Sequence, residues 1–436
     1  MNAQTLIDKI KSKKAKVGVV GLGYVGLPLA LTFAQKGFSV FGIDIDIDRI
    51  KKAQRGESYI LDVAGKDIIK FIKKKRFQAT SDFSVAKELD AVIICVPTPL
   101  KRRKEPDVSF IISAVRNIKK FIRPKQIIIL ESTTYPGTTE EVILPMLEST
   151  GLKEGRDFYL AFSPERVDPA NPRYKTYNTP KVIGGICSAS TKMAKLLYSQ
   201  VIKRVVPASS AKVAEMCKLL ENTFRIVNIA MVNEIMLMCD KLGIDVWEVI
   251  DVAKTKPYGF MPFYPGPGVG GHCIPVDPIY LSWKARGYGF AARFIDLASE
   301  INSKIPSYVV EKIAAGLKTE GKALKGSRVL IVGLAYKKDV KDLRESPALE
   351  IIELLQRKKA LVSYYDPFFP YLKFNHTDLK CLKFRPQSLS RQDCTVIVTD
   401  HSAVDYKFIL EHSNLIIDTR NVYRNLDKKG KKVLKL

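Results

Sequence analysis

The chain has 436 residues, of which 46% are hydrophobic, and its lysines and arginines outnumber its acidic residues to give a net charge of +26. This length predicts two or three domains, and the composition is that of an ordinary globular protein, which excludes the disordered and fibrous classes. Residues 1–16 lack the apolar core of a signal peptide and no apolar run approaches a membrane span, so we expect a cytoplasmic protein without a membrane span.

The positive charge and the cysteines argue against three further classes. Much of the charge lies in short runs such as 73–76 and 428–432, with no interleaved aromatic residues to stack on bases, so we expect no nucleic-acid partner. An anionic nucleotide substrate would also suit a positive field. The seven cysteines contain no CxxC pair and the four histidines no i, i+4 pair. These spacings predict neither a disulfide framework nor a metal site.

The first segment, 1–206, alternates strand and helix patterns. Its apolar strands are predicted at 16–22, 39–44, 91–96 and 126–131. Continuous apolar runs separated by helical stretches indicate a parallel sheet covered on both faces. Ligands bind such sheets beyond the carboxyl ends of the strands, where Pro97, Thr98 and Ser132-Thr133-Thr134 follow.

A dinucleotide fingerprint follows the first strand. Gly21-Leu-Gly-Tyr-Val-Gly26 fits G-x-G-x-x-G between a strand and a helix, with the acidic Asp44 at the end of the next strand. The glycines allow the turn, the approach of a pyrophosphate and close helix packing, while Asp44 would accept the ribose hydroxyls. We therefore predict NAD rather than NADP, although the nearby Arg49 would suit a 2′-phosphate. The alternative is a glycine turn that binds nothing.

A second polar motif, Ser163-Pro-Glu-Arg-Val-Asp-Pro-Ala-Asn-Pro172, comes directly after an apolar strand. Glu165 therefore lies at a carboxyl strand end, where it could act as a general acid or base or orient a water. The alternative is a turn with a surface salt bridge.

The second segment, 207–305, is predicted to be helical, with one long helix over 208–242. Lys218 and Asn222 share a face of that helix and could stabilise an oxyanion, or they could be an unrelated surface pair. Further on, Cys273 lies in the glycine-rich run 265–278, four residues before Asp277. This pattern suits a ligand-binding loop with a thiol nucleophile, and equally a buried cysteine in a turn.

The third segment, 306–436, repeats the strand–turn–helix pattern but lacks the full three-glycine turn after its first strand. The strands are predicted at 328–334, 361–366, 395–399 and 415–418. The basic stretch 336–347 begins a helix, where it suits phosphate recognition or forms a solvated loop. The predicted fold class is α/β, with two doubly wound Rossmann-like domains joined by a central domain with a long helix.

Six motifs in this order closely resemble the NAD-dependent UDP-glucose and UDP-N-acetylhexosamine 6-dehydrogenase family. They are GLGYVGLP at 21–28, STTYPG at 132–137, SPERVDPAN at 163–171, KLLENTFR at 218–225, PGPGVGGHCIPVDP at 265–278 and YKKDVKDLRESPALE at 336–350. The resemblance implies that the first domain binds NAD, the central helix forms a homodimer and the third domain binds UDP. It also implies two oxidations at C6 of the sugar with two NAD⁺ and no metal, for polysaccharide biosynthesis.

The same resemblance assigns roles to single residues. Cys273 forms a thiohemiacetal and then a thioester that water hydrolyses. The residues implied for the reaction are Cys273, Lys218, Asn222, Asp277, Thr133 and Glu165. Those implied for the cofactor are Gly21, Gly23, Tyr24, Val25, Gly26, Asp44, Arg49, Pro97, Thr98, Thr133 and Arg344. Those implied for the substrate are Glu165, Arg166, Lys218, Asn222, Tyr264, Gly266, Gly268, Gly270, Lys337 and Arg420.

Details of the glycine run favour an N-acetylhexosamine over glucose. Val276 stands where the glucose branch usually has a lysine, and Lys256-Pro257 where that branch has an arginine. The stretch 259–268 is most similar to UDP-N-acetylglucosamine enzymes, with the galacto and manno epimers as rivals. Two competing hypotheses for the whole chain are a two-electron alcohol dehydrogenase and a non-catalytic nucleotide-binding scaffold.

Overall fold

The computed structural model describes residues 2–60, 63–101, 105–168, 171, 173–271, 274–425 and 432–436. The chain divides into two compact units. The first comprises residues 1–221 and 279–291, and the second comprises residues 222–278 and 292–436.

The first unit is built on an eight-stranded sheet with the order β3-β2-β1-β4-β5-β6-β7-β8. The strands are β1 (Lys16–Val20), β2 (Ser39–Ile43), β3 (Phe77–Thr80), β4 (Ala91–Ile94), β5 (Ile127–Leu130), β6 (Tyr159–Phe162), β7 (Lys181–Gly185) and β8 (Val205–Pro207). The three strands β4, β5 and β6 are buried at every position, as their continuous apolar runs predict.

Helices cover this sheet. They are α1 (Ala3–Lys11), α2 (Gly26–Gln35), α3 (Ile47–Arg55), α4 (Gly65–Lys73), α5 (Ser109–Ile118), α6 (Leu144–Glu148) and α7 (Ser188–Tyr198), with a 3₁₀ turn over Phe83–Glu88 and a π turn over Thr138–Ile143. Local sequence sets their ends: the carboxylate of Asp46 accepts the backbone N–H groups of Asp48 and Arg49 at the start of α3, and Gly56 ends that helix with a φ of 74°.

One pair of strands departs from the predicted parallel sheet. β6 and β7 run antiparallel, with Ala161 opposite Gly185 and Phe162 opposite Gly184. The described residues between these two strands contain no helix. A parallel neighbour needs a crossover, usually helical, whereas an antiparallel neighbour can follow a simple loop.

The predicted long helix is present as α8 (Ala211–Leu242), 32 residues without proline or glycine. Near its start, Glu215 is buried and accepts the backbone N–H groups of Gly137 at 2.6 Å and of Thr139 at 2.9 Å. This carboxylate therefore ties the beginning of α8 to the loop that follows β5. Downstream come α9 (Val246–Ala253), α10 (Asp277–Arg286) and α11 (Arg293–Thr319).

The second unit contains a five-stranded parallel sheet with the order β10-β9-β13-β14-β15 and a hairpin of β11 and β12. The strands are β9 (Arg328–Val332), β10 (Leu361–Tyr365), β11 (Tyr371–Phe374), β12 (Thr377–Lys380), β13 (Cys394–Ile397), β14 (Leu415–Asp418) and β15 (Lys432–Lys435). The helices beside the sheet are α12 (Pro347–Arg357), α13 (Pro386–Ser390) and α14 (Tyr406–His412). Side chains of α8, α9, α11 and α12 share one apolar core with this sheet.

The α/β class with two Rossmann-type sheets and a long central helix is confirmed. In the described part of the chain, no helix combines the length and the apolar run that crossing a bilayer requires.

Candidate active site

The three glycines after β1 are each required for a different structural reason. Gly21 has a φ of 92°, and a Cβ there would lie 2.4 Å from the carbonyl oxygen of Cys95. A Cβ on Gly26 would lie 1.8 Å from the carbonyl oxygen of Gly21, so this glycine permits the close contact of α2 with the turn. A Cβ on Gly23 would meet nothing within 4 Å. Packing therefore requires the outer glycines, whereas Gly23 faces open space, as the approach of a pyrophosphate requires.

The acidic residue after β2 lies against this glycine turn. The carboxylate of Asp44 is buried and accepts the backbone N–H groups of Leu22 at 2.7 Å and of Asp46 at 2.9 Å. A guanidinium nitrogen of Arg49 lies 3.6 Å from the same carboxylate. The structure thus brings together the predicted ribose acceptor and the turn, and both fit the adenosine half of a dinucleotide.

The other predicted cofactor contacts lie at neighbouring strand ends. Since β1, β4 and β5 are adjacent, the loops after them meet at one edge of the sheet. Thr98 is buried and its carbonyl accepts the hydroxyl of Tyr280, whereas Pro97 is exposed. Thr133 is half-buried beside Ser132, whose hydroxyl donates to the carbonyl of Val96 at 2.8 Å. Tyr24 and Val25 belong to the glycine turn itself, with the Tyr24 ring about half exposed.

Glu165 follows β6, and both oxygens of its carboxylate are fixed by the protein. Its Oε1 accepts the backbone N–H groups of Arg166 at 2.8 Å and Val167 at 2.6 Å, and its Oε2 lies 3.4 Å from Nζ of Lys181. Burial raises the pKa of Glu165, but the Lys181 ammonium, these N–H groups and the Lys218 ammonium together outweigh burial and hold the pKa below its ordinary value. Glu165 is therefore a carboxylate at neutral pH.

Behind Glu165 lies a buried network that the sequence analysis did not single out. Nζ of Lys181 lies 3.1 Å from Oε1 of Glu131, and the same oxygen accepts the hydroxyl of Tyr198. The sequence feature that could have indicated this network is a charged residue at the end of an apolar strand. Glu131 directly follows β5, and Lys181 is the first residue of β7. Both side chains are buried, whereas a charged side chain at a strand end is usually exposed to solvent.

Two further predicted residues, Lys218 and Arg166, make contacts with other protein residues. Lys218 is half-buried on α8 and contributes the electrostatic contact with Glu165 described above. Arg166, predicted to contact substrate, forms an ion pair with Glu221 at 2.6 Å and donates to the carbonyl of Pro180 at 2.8 Å. Its guanidinium is thus engaged by the protein itself.

In the second unit, two predicted catalytic residues form a buried pair. The amide nitrogen of Asn222 donates to Oδ2 of Asp277 at 2.5 Å, and both side chains are less than a tenth exposed. Asp277 is the first residue of α10. His272 and Cys273 lie outside the described residues. The pair nevertheless fixes a carboxylate a few residues from the predicted nucleophile.

The glycine run packs closely against residues of the same unit. A Cβ on Gly270 would lie 2.6 Å from the carbonyl oxygen of Glu345 and 2.7 Å from Cβ of Tyr336. The N–H of Gly271 donates to the carbonyl of Arg344 at 3.0 Å. A side chain at either position would push the run away from the segment that begins at Tyr336, so this part of the run requires glycine.

The predicted substrate residues on either side of this contact lie on different elements. Gly266 donates its N–H to the amide oxygen of Asn233 at 3.2 Å, and a Cβ there would lie 2.8 Å from a guanidinium nitrogen of Arg420. Gly268 has a φ of 136°, and the ring of Tyr264 stacks on Trp247 at 5.9 Å between centroids. The glycine run and Arg420 are thus brought together.

The basic loop after β9 is partly engaged by its own acidic residue. The guanidinium of Arg344 forms an ion pair with Asp342 at 2.6 Å, while Lys337 is half-buried. Asp366 after β10 accepts the N–H of Leu334 after β9 at 2.6 Å, just as Asp44 after β2 accepts the N–H of Leu22 after β1 in the first unit. The carboxylate of Asp366 also contacts the buried imidazole of His401 at 3.2 Å.

Sequence models of three domains of one family match most of the chain. The NAD binding domain of the UDP-glucose/GDP-mannose dehydrogenase family matches residues 15–202, its central domain residues 212–304 and its UDP binding domain residues 330–425. The six motifs of the sequence analysis fall inside these three ranges.

Individual relatives cover most of the chain as well. A UDP-N-acetyl-D-mannosamine dehydrogenase of Methanococcus maripaludis is 34% identical over 422 residues, covering 93% of this chain and 93% of the relative. A UDP-N-acetyl-D-glucosamine 6-dehydrogenase of Pseudomonas aeruginosa is 37% identical over 358 residues, covering 82% of this chain and 83% of the relative. The solved structure of a UDP-D-ManNAc dehydrogenase from Pyrococcus horikoshii has a TM-score of 0.87 at 33% identity and covers 96% of this chain and 98% of its own.

Proposed function

Because the chain belongs to the UDP-glucose/GDP-mannose dehydrogenase family and is an NAD-dependent UDP-sugar dehydrogenase, we propose that it oxidises C6 of a UDP-N-acetylhexosamine from the alcohol to the carboxylate. The observation that carries this proposal is the buried hydrogen bond that ties Asn222 to Asp277, near the end of the glycine run that contains Cys273. A fixed amide and carboxylate suit the addition and hydrolysis steps of an acyl-thiol reaction, and the carboxylate of Asp277 follows Cys273 by four positions in the chain. We propose further that residues 1–206 bind NAD, 207–305 dimerise and 306–436 bind UDP.

The residues of the first unit fit the cofactor. The open space at Gly23 would receive the pyrophosphate, and Asp44 would accept the ribose hydroxyls. Bound at these residues, NAD⁺ would supply the hydride acceptor, one molecule for each of the two oxidations at C6. The family's other contacts at Tyr24, Val25 and Thr98 belong to the same sheet edge.

Each chemical step then has a candidate group on this chain. After the first oxidation the Cys273 thiol gives its proton to a base, for which Asp277 is the candidate, and the resulting thiolate adds to the aldehyde carbon. Lys218 and Asn222 would stabilise the oxygen anion. Loss of the second hydride leaves a thioester, and a water held by Thr133 and the ionised Glu165 displaces sulfur to give the carboxylic acid and the free thiol.

The expected substrate is UDP-N-acetylglucosamine, with UDP-N-acetylmannosamine as the second candidate. Residues 259–268 resemble the glucosamine enzymes, whereas the Methanococcus maripaludis relative, which covers more of the chain, is a mannosamine enzyme. These sugars differ only in the configuration at C2. Comparing kcat/KM for UDP-GlcNAc, UDP-ManNAc, UDP-GalNAc and UDP-glucose separates them: the highest value with UDP-GlcNAc supports our choice, and the highest value with another sugar replaces it.

The homodimer is proposed from an apolar stripe on α8. Met231, Met238 and Leu242 are spaced by seven and four residues, so they share one helix face, and each is about half exposed or more. Phe294 on α11 is also largely exposed. Apolar surface of this kind on an ordinary globular protein marks an interaction site, and the resemblance supports a second copy as the partner.

The stripe predicts the effect of charged substitutions. Met231→Glu with Met238→Glu should convert a dimer into a monomer, because each carboxylate would be buried unpaired in the interface. Light scattering coupled to gel filtration measures the mass. Leu361→Glu, an equally exposed apolar residue on β10, is the matched control and should leave the mass unchanged. A wild-type monomer, or a dimer that survives the double substitution, would contradict the proposal.

A further inference from the structure

The buried lysine at the start of β7 bridges two carboxylates. Nζ of Lys181 lies 3.1 Å from Glu131 and 3.4 Å from Glu165, and only 5% of the residue is exposed. Lysine is rarely buried to this degree unless it is paired, and breaking such a pair leaves an uncompensated charge. The placement therefore has an energetic cost that a surface lysine would avoid.

The far end of this network is fixed inside the sheet. The Tyr198 hydroxyl donates to Oε1 of Glu131, and Nζ of Lys181 lies 5.3 Å from the centroid of the Tyr198 ring. In the described part of the chain, Oε2 of Glu131 is buried without a hydrogen-bond partner. Glu131 and Tyr198 thus restrict the ammonium to one position, next to Glu165.

At the end of the network next to Glu165, Lys181 contacts the carboxylate oxygen that the backbone N–H groups leave unoccupied. Two backbone N–H groups occupy Oε1 of Glu165, whereas its Oε2 is contacted at 3.4 Å by Lys181. The charged and titratable groups that interact with Glu165 in the described part of the chain are Lys181 on β7, Lys218 on α8, Glu131 after β5, Tyr198 on α7 and the buried thiol of Cys95 after β4. Of the two cations, only Lys181 is buried.

We propose that Lys181, anchored by Glu131 and Tyr198, is a positioning residue that keeps Glu165 a carboxylate in the orientation that the hydrolytic step requires. This inference rests on the proposed function, in which Glu165 orients the attacking water. Lys181 acts through Glu165 and leaves binding of the UDP-sugar and of NAD to other residues.

The test variant is Lys181→Met with Glu131→Gln, because removing the lysine alone would leave two buried carboxylates facing each other. The matched control, Glu131→Gln, keeps the lysine beside Glu165. Loss of the neighbouring cation raises the pKa of Glu165, so activity that needs the carboxylate is lost at a higher pH as the solution is acidified. We expect the acid limb of kcat to lie roughly one to three pH units higher in the double variant than in the control, because the two proteins differ only in the Lys181 cation.

A second readout does not need substrate. Titration of [5-¹³C]glutamate-labelled protein by NMR, with the Glu165 signal assigned by its absence in Glu165→Gln, reports the pKa of Glu165 directly. Thermal unfolding and NAD binding check the fold, and Lys181→Gln with Glu131→Gln replaces the methionine variant where that variant fails these checks.

The outcomes separate this inference from the proposed function. An acid limb and a Glu165 signal that both move to higher pH support the positioning role. If neither moves, or if the signal moves while the limb of an active enzyme stays, the positioning role is overturned. A wild-type protein that oxidises no UDP-sugar removes the proposed function, and the NMR titration alone then decides whether Lys181 sets the charge of Glu165.

Discussion

Replacing Cys273 by alanine should lower the rate of acid formation by at least about a thousandfold, because removal of a covalent nucleophile from a catalytic set has effects of this size or larger. NAD binding should survive, since the glycine turn and Asp44 lie in the other compact unit. The measurement is product acid by mass spectrometry together with NADH at 340 nm.

Four other cysteines of the chain are poor nucleophiles and do not suit the role proposed for Cys273. Burial raises the thiol pKa of Cys95, Cys217, Cys381 and Cys394, so these thiols are protonated and weakly nucleophilic at neutral pH. Cys381→Ala is therefore the matched control, and we expect wild-type turnover from it. Formation of the acid by the Cys273→Ala protein at the wild-type rate would remove this cysteine from the mechanism.

The second large effect is expected at Gly23. Gly23→Ala should weaken NAD binding by about ten- to a hundredfold, because an added methyl group costs roughly 1–3 kcal/mol where a ligand must pack against the backbone. The fold should be unaffected, since the new Cβ meets no protein atom within 4 Å. Calorimetric titration with NAD and thermal unfolding measure the two properties separately.

Gly26→Ala gives the opposite pattern and serves as the comparison. Its Cβ would lie 1.8 Å from the carbonyl oxygen of Gly21, so α2 must move and the melting temperature should fall. If Gly23→Ala binds NAD as tightly as the wild type, the open space at this turn is not the pyrophosphate site.

Much of the first unit follows from its sequence. The buried strands are continuous apolar runs, and the glycine spacing with Asp44 after the next strand is sufficient to predict the turn and its acidic partner. These features depend on residues close together in the chain, where strand length and turn geometry leave little choice.

The Lys181 network could not be predicted in this way because it depends on strand direction. β6 lies between β5 and β7, and Glu131 follows β5. Since β7 is antiparallel to β6, its first residue lies at the edge where Glu165 follows β6. A parallel β7 would place Lys181 at the opposite edge of the sheet.

Other contacts between residues far apart in the chain show the same limit. Asn222 and Asp277 are 55 positions apart, and the sequence analysis assigned them roles without predicting their hydrogen bond. Arg166 was expected to contact substrate, but whether it pairs with Glu221 depends on how the loop after β6 meets α8. Side-chain partners across elements follow from tertiary packing, which local patterns do not specify.

The number of NADH molecules formed per sugar consumed distinguishes a four-electron from a two-electron oxidation. With limiting UDP-N-acetylhexosamine and excess NAD⁺, we expect two NADH per sugar and an acidic product, because oxidation of an alcohol to a carboxylate removes two hydrides. One NADH per sugar with an aldehyde or ketone product would indicate a two-electron alcohol dehydrogenase and contradict the proposed function, together with the role of the Cys273 thioester.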